Sequence, residues 1–159
     1  GVPLRFSYGR FEPDARWQLQ AWAWTDSLDP RGDDEAWMRL TRTTPLLSRA
    51  VPRLDFMWYR PMIRELPQAR FALQASGVVT LAPGEYTLRT ISDDAVRVWV
   101  DDRLVIDHWT PHGSAIDYAA LAGGRHEVRV CYYQVEGWTE LRLDVLRGRQ
   151  RSMGSPGPH

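Results

Sequence analysis

VVTLAPGEYTLRTISDDAVRVWVDDRLVIDHW, residues 78–109, decides the fold class. Glu85 to Ile91 sets Tyr86, Leu88 and Thr90 on one face against Thr87, Arg89 and Ile91 on the other, the period of two that belongs to a strand. Ala95 to Val100 repeats it, with Val96, Val98 and Val100 opposed to Arg97 and Trp99, so the valines are expected to face a core. Before these runs, VVTL at 78–81 stops at Ala82-Pro83-Gly84, read as a turn because proline fixes φ and glycine relieves the backbone. Asp101-Asp102 joins the valine strand to RLVID at 103–107 through a connection of the length that favours a mirror-image turn.

Working outward, HWTPHGSAIDYAAL reads as a looser stretch, and Gly123-Gly124 then opens another strand. There Val128, Val130 and Tyr132 alternate with Arg129, Cys131 and Tyr133, and Leu141, Leu143 and Val145 carry the core face of a final strand. Short apolar runs separated by turn chemistry are the pattern of an all-β sandwich or barrel. The first half is less regular. RWQLQAWAW at 16–24 alternates as a strand with bulk on both faces: Trp17, Leu19, Ala21 and Ala23 on one, Trp22 and Trp24 on the other. Such a strand needs a partner, a loop or a ligand over its second face. SLDPRGDDE at 27–35 reads as a loop, AWMRLTRT at 36–43 as another strand, LDFMWY at 54–59 as a strand, and 61–66 as a short helix opened by Pro61. RGRQRSMGSPGPH, from Arg147 to the end, offers nothing to bury and reads as a flexible tail.

Length fits one domain, expected over residues 1–146 with residues 147–159 as the tail. Lys+Arg and Asp+Glu are both 20, so there is no net positive field to condense the chain on nucleic acid or anionic lipid, and neither partner is expected. No apolar run is long enough for a transmembrane helix, and GVPLRFSYGRF lacks the apolar region of a secretory signal. Gly1 in place of Met reads as a processed or excised chain whose targeting segment is missing. One cysteine, Cys131, excludes an intrachain disulfide and reads as a buried strand residue. The unusual feature is eight tryptophans, at 17, 22, 24, 37, 58, 99, 109 and 138, a residue that fills cores, anchors interfaces or stacks on sugars.

Residues 78–109, followed by LAGGRHEVRVCYYQVEGWTELRLDV at 121–145, resemble the PA14 domain, the anthrax protective-antigen type of β-sandwich. GEYTLRTISDD, VRVWVD, LVID and AGGRHEVRV in that order carry the resemblance, which extends over about residues 54–146. It implies an antiparallel two-sheet sandwich, here with an irregular N-terminal extension, in a module appended to bacterial glycosidases, adhesins and toxins. In the lectin members, two successive aspartates joined by a cis peptide bind calcium, which in turn holds sugar hydroxyls; Asp93 and Asp94 stand in the matching place. Other members keep the fold without binding sugar. This chain departs in having Ala95 where the family has a small flexible residue such as Gly, and Asp101-Asp102 where it has Asp-Gly.

Calcium takes about six to eight oxygen donors. Adjacent side chains on a strand point opposite ways, so Asp93 and Asp94 converge only if the backbone is bent there; without that they are a common turn. Further donors are expected from QVEGW at 134–138, with the Glu136 carboxylate and the Gln134 amide oxygen, although that loop has no aspartate or asparagine. Calcium is the one cofactor the sequence points to. Trp138, Trp109 and then Tyr133 are the candidate stacking platforms for sugar. His108 and His112 are four apart, but Trp109-Thr110-Pro111 opposes a helix and no cysteine joins them, so zinc is not expected. Serines 76, 92 and 114 lack a nucleophile elbow, no phosphate loop occurs, and no enzyme is expected. Two functions stay open. The first is a non-catalytic, extracellular or periplasmic carbohydrate-binding or adhesion module assisted by calcium. The second is a structural or protein-interaction domain with no ligand site, docked on a larger assembly through its Trp-rich surface or basic tail.

Overall fold

A 23-residue strand, Phe71–Asp93, organises the molecule. Held straight at about 3.3 Å per residue it would span roughly 75 Å, far more than a small domain can contain, so it has to bend. The computed structural model describes residues 10–11 and 16–149. Its strands are β1 (Arg10–Phe11), β2 (Trp17–Ala23), β3 (Leu47–Val51), β4 (Asp55–Trp58), β5 (Phe71–Asp93), β6 (Ala95–Val100), β7 (Arg103–His108), β8 (Ala115–Gln134) and β9 (Thr139–Arg147), with one α-helix, α1 (Asp34–Thr41).

Every described pairing is antiparallel. β5 and β8 run together from Phe71↔Gln134 to Ser92↔Ala115, with a register break between Leu81 and Glu85. Ala82-Pro83-Gly84, expected as a turn, is this break: the chain bends without reversing, and Pro83, which has no N–H to donate, sits where the ladder is interrupted. Gly123 makes the bend possible from the other strand, since a Cβ there would lie 2.5 Å from the Ala82 carbonyl oxygen and 2.9 Å from Pro83 Cα. The Tyr86 hydroxyl donates to the same carbonyl at 2.8 Å.

On one side of the bend, β5 takes β2, and through it β3, while β8 takes β6 and then β7. On the other side, β5 takes β9, which carries β1 and β4. Folding the path at the bend stacks two layers on one core containing Trp17, Leu19, Leu73, Leu88, Val96, Val98, Val130, Leu141 and Val145. The valines of β6 face inward as their alternation predicts, and Asp101 and Asp102 both have positive φ, 52° and 64°, as a mirror-image turn requires.

Further expectations are corrected. AWMRLTRT is mostly helix: Asp33 caps α1, its Oδ1 accepting the Ala36 N–H at 3.0 Å, and Ala36, Trp37 and Leu40 recur at helical rather than strand spacing. β8 already begins at Ala115, inside the stretch read as loose. Residues 61–66 form turns and no helix. β9 runs to Arg147, and Gly148 N–H donates to the Glu85 carbonyl at 2.8 Å, so the expected tail is structured at its start; the rest of it, from residue 150, lies outside the described residues. The irregular N-terminal extension is also smaller than expected, because β2 is an inner strand paired along its whole length with β5.

The second face of β2 finds its cover inside the chain. Trp22, Trp24, Trp37, Leu40, Ala72, Ala95, Cys131 and Tyr133 form a second apolar cluster under α1. Trp22 and Trp24 are 3% and 2% exposed, so the Trp-rich surface imagined for docking is an internal seam.

Candidate functional site

At the end of β5, the segments that follow β5, β7 and β8 meet at Asp94. The Asp93–Asp94 peptide there is cis. Asp94 is buried, and its carboxylate accepts two backbone N–H groups, from His112 at 3.2 Å on Oδ1 and from Val135 at 2.9 Å on Oδ2. It therefore ties the loop after β7 to the loop after β8. The Tyr132 hydroxyl donates to the Asp93 carbonyl from inside the core. The Asp93 carboxylate has no hydrogen bond or ion pair among the described residues. Burial raises its pKa above the usual carboxylate value, the negative charges of Asp94 and Glu140 push the same way, and His112 opposes them.

Glu140 pairs with Asp93 across the β5–β9 ladder. It is 7% exposed, and its Oε1 accepts the Ser114 hydroxyl at 2.8 Å and the Trp138 indole N–H at 3.1 Å. Trp138 in turn packs on Tyr59, ring centroids 4.8 Å apart and planes tilted by 59°. Trp138 is half-buried and Tyr59 is 67% exposed, so an aromatic pair stands open to solvent beside the acidic group. His108 and His112 stack at 3.8 Å on the other flank, and His108 Nδ1 meets Asp117 Oδ2 at 2.9 Å.

The sequence candidates divide. Asp93, Asp94 and Trp138 are brought together through Glu140 and the loop carbonyls and amides. Gln134 is fully buried; its Nε2 donates to the Gly137 carbonyl at 3.2 Å, and its Oε1 has no partner. Glu136 is exposed at the loop tip, next to Gly137 at φ 84°, and makes none of the described contacts with the aspartates. Tyr133 is 1% exposed, too enclosed to offer a sugar its face. Trp109 belongs to the seam under α1, edge-on to Tyr133 at 4.9 Å and to Trp37 at 5.3 Å, with its indole N–H on the Pro30 carbonyl. Tyr59, Ser114 and Glu140 are additions that sequence reading did not place here. The pairing of β9 with β5 and β4 brings in Glu140 and Tyr59, and the pairing of β8 with the end of β5 brings in Ser114; these pairings leave no local mark in the sequence.

Among the described residues, no three His, Cys, Asp or Glu side chains are arranged to hold a metal ion. Two carboxylates and the unpaired Gln134 amide oxygen are hard donors of the kind calcium takes, so the chemistry of the set fits, while the number of acidic donors is low.

The PA14 domain family model matches residues 41–156, well over half of the sequence. The chain belongs to the PA14 domain family. This PA14 domain is similar to the anti-sigma-I factor RsgI3 of Acetivibrio thermocellus, at 28% identity over 110 residues, covering 64% of the chain and 17% of that protein. A solved anti-sigma factor domain-containing protein superposes with a TM-score of 0.64 at 21% identity, over 87% of this chain and 44% of the other. The PA14 sugar-binding domain from an RTX adhesin superposes with a TM-score of 0.63 at 13% identity, over 87% of this chain and 94% of the adhesin domain. At these identities the structures share a fold. The chain spans less than half the length of both anti-sigma relatives, as a module within longer proteins does.

Proposed function

We propose that this PA14 domain is a non-catalytic carbohydrate-binding or adhesion module working outside the cytoplasm, with its sugar site at the loop end of Asp93, Asp94 and Trp138. The observation that carries the reading is the unpaired Asp93 carboxylate, cross-strand neighbour of the Glu140 that holds the Trp138 indole of the open Tyr59–Trp138 pair. Trp138 and Tyr59 present apolar ring faces on which the C–H surface of a sugar stacks, and acidic oxygens next to them accept its hydroxyls. Asp94 orients both flanking loops, and Glu140 orients Trp138, so the aromatic face is held before a ligand arrives. A bound calcium ion would be held by Asp93, Asp94 and the Gln134 amide oxygen, and would supply positive charge and open coordination positions for sugar hydroxyls. The sugar-binding description of the adhesin domain supports the reading by likeness of fold.

Catalysis is disfavoured by the arrangement of the acids. Asp93 and Glu140 are neighbours on adjacent strands rather than facing carboxylates across a cleft, and Glu140 already accepts two donors. The docking alternative has lost Trp22 and Trp24 to the interior, and its basic tail falls mostly beyond the described residues.

Calcium titration by calorimetry tests the cation assignment on the wild type and on Asp93→Asn, which removes a charge but no described hydrogen bond. Saturable heat in the wild type, lost in a variant with an unchanged circular dichroism spectrum, is the expected outcome. A wild type that gives neither heat nor a rise in melting temperature with millimolar calcium contradicts it.

A further inference from the structure

Between α1 and the outer faces of β6 and β8 lies a cleft of about 210 Å³, lined by Trp37, Trp99 and Trp109 together with Arg97, Arg129 and Asp34. Its lining includes none of Asp93, Asp94, Glu140 and Trp138. The two arginines differ in their commitments. Arg97 lies over Trp109 at 4.9 Å and is neutralised, its NH1 on Asp34 Oδ1 at 3.1 Å and its Nε on Asp107 Oδ1 at 2.8 Å. Arg129 lies over Trp99 at 4.2 Å and has no carboxylate within ion-pair distance among the described residues.

Stacking uses the face of a guanidinium and leaves its in-plane N–H fork to bind something else. The planar fork matches a carboxylate, which it takes through two parallel hydrogen bonds. With Arg97 held by both Asp34 and Asp107, Arg129 is the guanidinium of the lining without a carboxylate among the described residues, a fork for a single carboxylate rather than for a polyanion. An apolar cavity of about 150 Å³ takes benzene, so this cleft is on the scale of one six-membered ring with a small substituent. The half-buried indoles of Trp99 and Trp109 favour a ring that offers a flat C–H or π face. The neighbouring Cys131 thiol adds no charge, since burial pushes its pKa up to about 12.

We propose that this cleft is a second binding site, taking a six-membered ring that carries one carboxylate, its face on the indoles and its carboxylate on Arg129. An acidic sugar unit and an aromatic acid share that chemistry. Titrating the protein with glucuronate, benzoate and neutral glucose, with indole N–H resonances as the readout, tests it in the presence of a calcium chelator. Saturable shifts at Trp99 and Trp109 with glucuronate or benzoate, and none with glucose, are expected. Preference for glucuronate assigns the site to acidic sugars, and preference for benzoate to aromatic acids. Arg129→Gln is expected to weaken the preferred acid by about tenfold or more with an unchanged fold. No saturation by either acid, or equal binding by the variant, overturns the proposal. Because the chelator is present throughout, this result is separable from the fate of the calcium site.

Discussion

Asp94 and His126 show how much of this molecule rests on single side chains bonded to backbone groups. Asp94 is the buried acceptor for one N–H from each of two loops, so Asp94→Ala leaves two donors without a partner. A loss of about 2–4 kcal/mol in denaturant unfolding is expected, and a loss below about 1 kcal/mol would show that water replaces the carboxylate. His126 holds the far end of the sandwich, its Nδ1 on Asp101 Oδ2 at 2.7 Å and its Nε2 on the Ala122 carbonyl at 2.8 Å. Both ring nitrogens face acceptors, an arrangement that only the imidazolium satisfies. Burial disfavours that cation, but the hydrogen bonds to Asp101 and Ala122 outweigh it and the folded pKa is raised; the His126 bond lowers that of Asp101. The histidine contribution is therefore complete below the ordinary value of about 6.5 and is lost as pH rises through the raised folded value. The aspartate contribution is present above about 3.9 and is lost as pH falls through the lowered one. Melting temperatures of wild type and His126→Gln should differ most near pH 5.5 and converge toward about pH 9; a gap independent of pH contradicts the pairing.

The bend of β5 and β8 and the helix over the outer face are the elements that fix where the loops fall. Gly123→Ala puts a Cβ against the Ala82 carbonyl and the Pro83 backbone, neither of which can swing away, so a cost of about 2 kcal/mol or more is expected in equilibrium unfolding. Full tolerance would mean that the crossing is looser than described. Trp37→Ala removes the part of α1 that packs edge-on to Trp22 and Trp109, and a loss of about 3–5 kcal/mol is expected. Strand alternation made β6, β9 and the inner face of β2 legible, because a period of two survives wherever one face is buried and the other is not. The helix was not legible as such: Ala36-Trp37 and Leu40 fit a short alternation almost as well as a helical turn, and the Asp33 cap that decides between them is one residue among several acids in a loop. The bend was misread for a related reason. Pro and Gly mark an interrupted ladder equally well whether the chain reverses or merely turns a corner, and only the partner strand distinguishes the two.

For the whole molecule, alternation gave an all-β sandwich or barrel, and the motifs GEYTLRTISDD, VRVWVD, LVID and AGGRHEVRV in that order carried the resemblance to PA14 domains that the family match bears out, while the candidate site was only half visible. Asp93, Asp94 and Trp138 sit in sequence beside turn signals and could be singled out, whereas Glu140 and Tyr59 reach them through the β5–β9 and β4–β9 pairings. Tyr133 and Trp109 look as available in sequence as Trp138 does, but burial in the seam removes Tyr133, and Trp109 lines the cleft beside α1 instead of joining Trp138. The architecture thus concentrates its tryptophans in an internal seam and leaves one exposed aromatic pair beside an unpaired acid. Glycan-array binding of the wild type and of Trp138→Ala, each with calcium and with a chelator, tests that placement most directly. Binding of a defined set of glycans that is lost in the variant and weakened by the chelator is the predicted result. Equal glycan binding by a folded Trp138→Ala protein, or no binding by the wild type across the array, would contradict it.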